Sequence, residues 1–159
     1  MKFLIDTSVW LEVLLDQSRA ADARRLLQVT PLDEIAISDF SLLALRVILN
    51  HLDRNDVYAA FAAGILDETP IVEVGLEESE LNSMGRGQRR LSLGFHAAYQ
   101  YLAARKHGLT LVSFDGDLDY LPEGRRTPGQ VLHGVPEVVR EPDREDGSPE
   151  SGGGLEPAG

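Results

Sequence analysis

The sequence predicts a single α/β domain built on a parallel sheet, and three observations predict it. Short apolar runs alternate with longer stretches of helical spacing. The spacing between runs leaves room for a helical crossover each time, which implies parallel pairing with right-handed connections. The length, 159 residues, is that of one ordinary domain with enough interior to need no cross-links.

The elements follow in order. Lys2–Asp6 is a buried strand ending in an acid. Thr7 or Ser8 then caps a helix carrying Val9, Trp10, Val13 and Leu14 on one face. A second helix spans Ser18–Gln28, and Pro31 marks a loop. Ile35-Ala36-Ile37 is a second strand, with Ser38-Asp39 as the start signal of a helix over Phe40–His51; Asp39 is read as its cap. Arg54–Leu66 is helical, Pro70–Val74 a third strand and Glu77–Met84 a short acidic helix. Gly85-Arg86-Gly87-Gln88 breaks the helical pattern. Ser92 or a neighbour opens a helix to His107, ended by Gly108 in a left-handed cap, and Leu109–Ser113 is the fourth strand. The expected strands are thus 3–5, 35–37, 71–74 and 109–112.

Composition narrows the chemistry. The chain has no cysteine, so disulfides and thiolate metal sites are excluded and any metal falls to carboxylates, histidines, hydroxyls or carbonyls. Those ligands suit magnesium, manganese or calcium better than structural zinc. No apolar run approaches the ~20 residues that span a bilayer, and the N-terminus lacks a signal peptide's apolar region, so the expected location is the cytoplasm. The net charge of −11 argues against a general nucleic-acid binder. Residues 141–159 hold six acids against one arginine, with five glycines and three prolines. With Leu155 as its one large aliphatic residue, this segment is expected to be a disordered tail after a domain of residues 1–140.

In parallel sheets ligands bind beyond the carboxyl ends of the strands. Asp6 follows the first strand, and Asp115, Asp117 and Asp119 follow the fourth on one short turn. Asp6 ends an apolar strand, where an unpaired charge is costly. Three like charges on one turn repel, and a divalent cation relieves that repulsion. The bland alternative is a solvated acidic loop, and the second strand end supplying Asp6 is what favours the metal.

These residues resemble a known family. Phe3-Leu4-Ile5-Asp6-Thr7-Ser8-Val9-Trp10 and Leu109-Thr110-Leu111-Val112-Ser113-Phe114-Asp115-Gly116-Asp117 are similar to the opening and closing motifs of PIN domains, metal-dependent nucleases that include the VapC-type toxins. Ile37-Ser38-Asp39-Phe40-Ser41-Leu42 and Ala98-Tyr99-Gln100-Tyr101 fit the middle motifs, so the resemblance covers residues 2–132 with the motif order kept. It implies a three-layer α/β/α fold with a parallel sheet of four or five strands, ordered 3-2-1-4-5. It also implies a mouth of acids holding Mg2+ or Mn2+ for hydrolysis of an RNA phosphodiester. Asp6 matches the family's first metal ligand and Asp115 its last well-kept one; Asp117 and Asp119 match auxiliary acids. The resemblance further implies a homodimer, through the Trp10 helix and the Phe40–His51 helix, and an antitoxin partner covering the mouth.

Two family acids are replaced. Ala44 stands where most members carry a glutamate, and Ala97 where a central metal ligand is expected. Alanine offers no lone pair, and His96 is the nearby substitute, a better partner for manganese than for magnesium. Arg125 and Arg126 follow the acidic loop and are candidate RNA-phosphate contacts; Arg86, Arg89 and Arg90 read more simply as a solvated face. The expected function is therefore a weak VapC-like endoribonuclease. The alternative is a catalytically silent PIN module that keeps an antitoxin, protein or RNA partner. A haloacid-dehalogenase-type phosphatase is excluded because Thr7-Ser8 follows Asp6 where that chemistry needs a second aspartate two residues on. A phospho-receiver domain is excluded because its set of acids and late lysine does not occur.

Overall fold

The computed structural model describes residues 1–91 and 93–134, the side chains of residues 87–91 excepted. The expected tail and the boundary at residue 140 lie outside the described residues. Four strands, β1 (Phe3–Ile5), β2 (Ile35–Ser38), β3 (Val72–Val74) and β4 (Thr110–Val112), form a parallel sheet in the order β3-β2-β1-β4. Beside β4, Arg126 donates its N–H to the Leu111 carbonyl and accepts from Ser113 N–H, a single parallel bridge where a fifth strand would run. One bridge is too little to define a strand, so the described sheet has four.

The helices are α1 (Thr7–Leu14), α2 (Ala20–Val29), α3 (Asp39–His51), α4 (Asn55–Phe61), α5 (Glu78–Leu91), α6 (Phe95–Lys106) and α7 (Pro128–His133). They cover both faces of the sheet. Side-chain alternation along the strands divides the interior in two. Leu4, Ala36 and Leu111 face α5 and α6, whereas Phe3, Ile5, Ile35, Ile37 and Val112 face α1, α2, α4 and α7. The result is the expected α/β/α sandwich.

Two local expectations are corrected. The helix beginning at Glu78 runs on to Leu91 through Gly85 and Gly87, so the glycines lower helix propensity there without ending it. Ser38, not Asp39, caps α3: its hydroxyl accepts the Ser41 N–H at 2.9 Å. For Trp10, left open between the core and a dimer face, the structure gives the core. It is buried, its ring 5.2 Å from that of Phe61 in an edge-on contact, because α1 turns that side toward α4.

Candidate active site

The site is built at the carboxyl ends of β1 and β4, which are hydrogen-bonded neighbours. Asp6 is the first residue beyond β1 and is only 4% exposed. A buried carboxylate must be satisfied by donors, and this one has four. Oδ1 accepts from Gln100 Nε2 at 2.8 Å and lies 3.2 Å from His96 Nε2. Oδ2 accepts from Ser8 Oγ at 2.7 Å and Ser113 Oγ at 2.8 Å. Burial pushes the Asp6 carboxyl up. The bonds from His96, Ser8 and Gln100, with the positive charge of a protonated His96, outweigh it and hold the group at about 2.

Gln100 is the centre of this arrangement and is fully buried. Besides Asp6 it donates to Ser41 Oγ at 2.7 Å and accepts from Ser38 Oγ at 2.6 Å; Thr7 Oγ1 donates to Ser41 Oγ at 2.9 Å. Five polar side chains, from the end of β1 and from α1, β2, α3 and α6, are thereby joined under the mouth. Helix α6 is buried on almost every side, so a glutamine within it is a polar group that must be used internally. That was the available signal for Gln100, and motif matching alone assigned it no role.

Asp115 lies in the same mouth, a depression of about 430 Å³ shared with Asp6, Ser8 and His96. Ser113 ties the two strand ends together, donating to Asp6 and accepting the Asp115 N–H at 2.9 Å. Asp115 Oδ1 accepts the Asp117 N–H at 3.0 Å, which folds the loop into a single tight turn over Gly116–Leu118. Asp117 is exposed and is not among the residues that line this depression. Asp119 faces away from the mouth into a two-pronged pair with Arg125, at 2.7 and 3.0 Å. Arg125 also donates to the Ser113 carbonyl at 2.9 Å, so it clamps the acidic loop to the end of β4. The Arg126 backbone bridges β4, as above, and its side chain is half-buried nearby. Arg86 is exposed, and the side chains of Arg89 and Arg90 lie outside the described residues.

Ala97 is buried and Ala44 is half-buried; neither offers the mouth a ligand. Asp39 belongs to a separate cluster. Its Oδ1 accepts from Tyr99 OH at 2.6 Å and from Phe40 N–H at 2.7 Å, and burial together with that carboxylate pushes the Tyr99 phenol up to about 12. Asp39 packs so closely on Gly75 that a Cβ there would lie 2.8 Å from its carboxyl carbon. The mouth also holds Arg19 and Phe114, to which motif reading gave no role. Arg19 lies 4.2 Å above the Phe114 ring and bonds Glu12 Oε1 through Nε at 3.1 Å and through Nη2 at 3.0 Å, its guanidinium half-exposed beside Asp115. Nothing local in the sequence marks either one; the fold brings them together.

The donor set bears on a metal in two ways. Hard carboxylates with no thiolate suit Mg2+ or Mn2+, and Mg2+ is commonly held by one or two carboxylates with water and substrate phosphate completing its shell. Asp6 and Asp115 meet that minimum. No closed cage exists, however: among the described residues no three histidine, aspartate or glutamate side chains converge on a point. Moreover a carboxylate has about four acceptor positions, and Asp6 already uses four. The residues fit one open, weakly held ion, with a protein donor yielding a lone pair on Asp6.

Known proteins place the chain clearly. Residues 3–124 match the PIN domain family. No curated protein sequence matches. Among solved structures, VapC20 of Mycobacterium tuberculosis, a sarcin–ricin-loop-cleaving toxin, is similar at 23% identity and a TM-score of 0.61, over 86% of this chain and 98% of that one. A toxin–antitoxin complex from Klebsiella pneumoniae is similar at 18% identity and a TM-score of 0.62, over 80% of this chain and 98% of that one. A Pyrobaculum aerophilum protein is similar at 19% identity and a TM-score of 0.59, over 84% and 96%. These likenesses establish a common fold. With three quarters of its length matched to the family from the first strand to the acidic loop, the chain belongs to the PIN domain family.

Proposed function

We propose that this chain is a VapC-like endoribonuclease of low turnover that depends on Mg2+ or Mn2+. The observation that carries this reading is the pairing of Asp6 and Asp115 in one mouth across two neighbouring strand ends, linked by Ser113. Asp6, Asp115 and Asp117 would hold the ion, with His96 favouring manganese if it swings from Asp6. Such an ion, when bound, would orient a water and neutralise charge on the phosphodiester. Asp119 is given to Arg125 rather than to the ion. Arg19 offers phosphate a cation at the mouth itself, and Arg126 offers one farther along. The low rate follows from Ala97 and from the four donors already on Asp6.

Partners follow from the same reading. An RNA substrate and a cognate antitoxin are proposed, since a structural neighbour is a toxin–antitoxin complex. Leu43 and Val47 on α3 are 60% and 59% exposed at i and i+4, an apolar stripe suited to a homodimer. No helix among the described residues is long and apolar enough to cross a membrane, and a cytoplasmic location is proposed.

The test is titration calorimetry with manganese beside single-turnover cleavage of a mixed RNA pool. The protein should bind manganese weakly and cut slowly, and Asp6→Ala should lose both properties. One observation favours a second reading, the silent PIN module: the saturation of Asp6 by protein donors, with no three histidine, aspartate or glutamate side chains converging among the described residues. Absence of both manganese binding and cleavage in the unaltered protein would select that reading.

A further inference from the structure

A second depression, of about 370 Å³, runs beside β4 between the end of α6 and the loop that carries Arg125. Its walls bring together Arg105, Arg125 and Arg126, with Glu123 as the one acid. On a chain of net charge −11 such a concentration of cations is unexpected. Their charges are not equally available. Arg125 is spent on Asp119 and the Ser113 carbonyl. Among the described residues Arg105 donates through Nη1 to a neutral partner, Tyr101 OH, at 2.8 Å with its guanidinium 5.5 Å from that ring, and Glu123 acts on it by its charge without an ion-pair contact. Neither Arg105 nor Arg126 forms an ion pair among the described residues.

The loop is held in place to present them. Tyr101 OH donates to the Pro122 carbonyl at 3.1 Å, so the phenol that orients Arg105 also pins the loop. Glu123 adopts a left-handed backbone, φ 49°, unfavourable for a residue with a Cβ. Gly124 passes so near the Leu118 carbonyl that any side chain would collide with it. Strain of this kind persists where surrounding structure enforces it, and it collects at binding sites. Arg125 joins the cleft to the mouth: it bonds the carbonyl of Ser113, whose hydroxyl bonds Asp6.

We propose that Arg105 and Arg126 form a phosphate-binding cleft for the non-reacting flank of a single-stranded RNA that enters the mouth. This rests on the ribonuclease reading above and adds a site to it. Two guanidiniums that no acid pairs among the described residues line one depression and suit a polyanion's backbone phosphates, and the Arg126 backbone already takes the Leu111 carbonyl and Ser113 N–H that an added peptide strand would use. The cleft carries affinity and leaves the chemistry to the mouth.

The experiment is fluorescence anisotropy of a labelled oligouridylate of roughly twelve nucleotides across a salt series, with single-turnover cleavage alongside. The proteins are the full chain, Arg105→Ala/Arg126→Ala and Arg105→Lys/Arg126→Lys. Each lost phosphate contact lowers the salt slope by about 0.7 for a single strand, so the double alanine variant should lose about 1.4. Its half-saturating RNA concentration should rise with the rate at saturation unchanged, and the lysine pair should keep most of the slope. An unchanged slope in a folded alanine variant would overturn the proposal and leave the ribonuclease reading intact. Failure of the unaltered protein to bind or cut RNA would overturn that reading, and the cleft's assignment with it. Arginine-dependent binding of a polyglutamate peptide, with RNA binding unaffected, would overturn it in favour of an acidic protein partner.

Discussion

Replacing Gln100 by leucine tests the central claim about the site, that protein donors do much of the work a cation does elsewhere. Leucine is close to glutamine in size, so the cavity term is small. The polar losses are specific. Asp6 Oδ1 loses a bond of 2.8 Å to a charged acceptor, worth roughly 1.5–3 kcal/mol. Ser38 Oγ loses the acceptor for its proton while fully buried, at roughly 1–3 kcal/mol. Ser41 keeps its bond from Thr7, so its loss is smaller. The sum is roughly 2.5–6 kcal/mol, a large part of the ~5–15 kcal/mol that keeps a domain folded. Urea unfolding at neutral pH in a chelator should show it directly. A loss under about 1 kcal/mol would refute the claim that this network carries structural free energy. The same substitution frees a lone pair on Asp6, so manganese should bind more tightly to whatever fraction stays folded. Weaker binding would mean that Gln100 supports a metal instead of competing with it.

Acid supplies an independent measure. The Asp6 carboxyl lies at about 2 against an ordinary 3.8, and at about 1.4 kcal/mol per unit that is on the order of 2 kcal/mol. A depressed carboxyl stabilises the fold above its unfolded value, and the contribution disappears as pH falls. Chelated protein should therefore lose this increment between about pH 4 and pH 2, and Asp6→Asn should flatten that limb of the profile. An unaltered profile in Asp6→Asn would show that the depression is absent.

Other outcomes follow from single contacts. Ala97→Asp should tighten manganese binding on the order of tenfold or more, raise RNA cleavage, and lower stability in chelator because the new carboxylate is buried; no change in calorimetry or cleavage would remove Ala97 from the mouth. Arg125→Met should cost roughly 2–3 kcal/mol in thermal unfolding by freeing the Ser113 carbonyl and Asp119 together. Unchanged stability would return Arg125 to a purely RNA-facing role. Leu43→Glu/Val47→Glu should convert a dimer to monomer in light scattering at micromolar concentration, and an unaltered protein that is already monomeric would dispose of the α3 interface.

The sheet was legible because its strands are short apolar runs with nothing else to be. The expected 3–5, 35–37, 71–74 and 109–112 differ from the observed strands by one residue at an end at most. The run through Gly85 and Gly87 was misread as a break because glycine lowers helix propensity without forbidding it, and continuity there is a tertiary matter. Asp39 was misread as a cap because serine and aspartate are nearly equal in that role and stand side by side. At the site, motif order singled out Asp6 and Asp115 as candidates, and the two line one depression. It had no means to show that Arg125 and Asp119, six residues apart and each suited to RNA or metal, neutralise one another. Nor could it place Arg19 on Phe114, since that contact depends on where the second helix begins.

The substitution at residue 97 and the crowding of Asp6 bear on each other. A mouth with several carboxylates repels itself and is relieved by a cation. Remove one carboxylate and the remaining buried acid still needs compensation, whether or not an ion is present. Here that compensation comes from the chain: Ser8, Ser113, Gln100 and His96 meet every acceptor position of Asp6. Of the four, His96 is the half-exposed one and stands next to Ala97 at the start of α6. It is therefore the donor best placed to withdraw when a cation or a phosphate arrives. Any metal that binds here would therefore compete with these internal hydrogen bonds. That competition is why the manganese affinity of Gln100→Leu and the acid limb of the unaltered protein measure the same quantity from opposite sides.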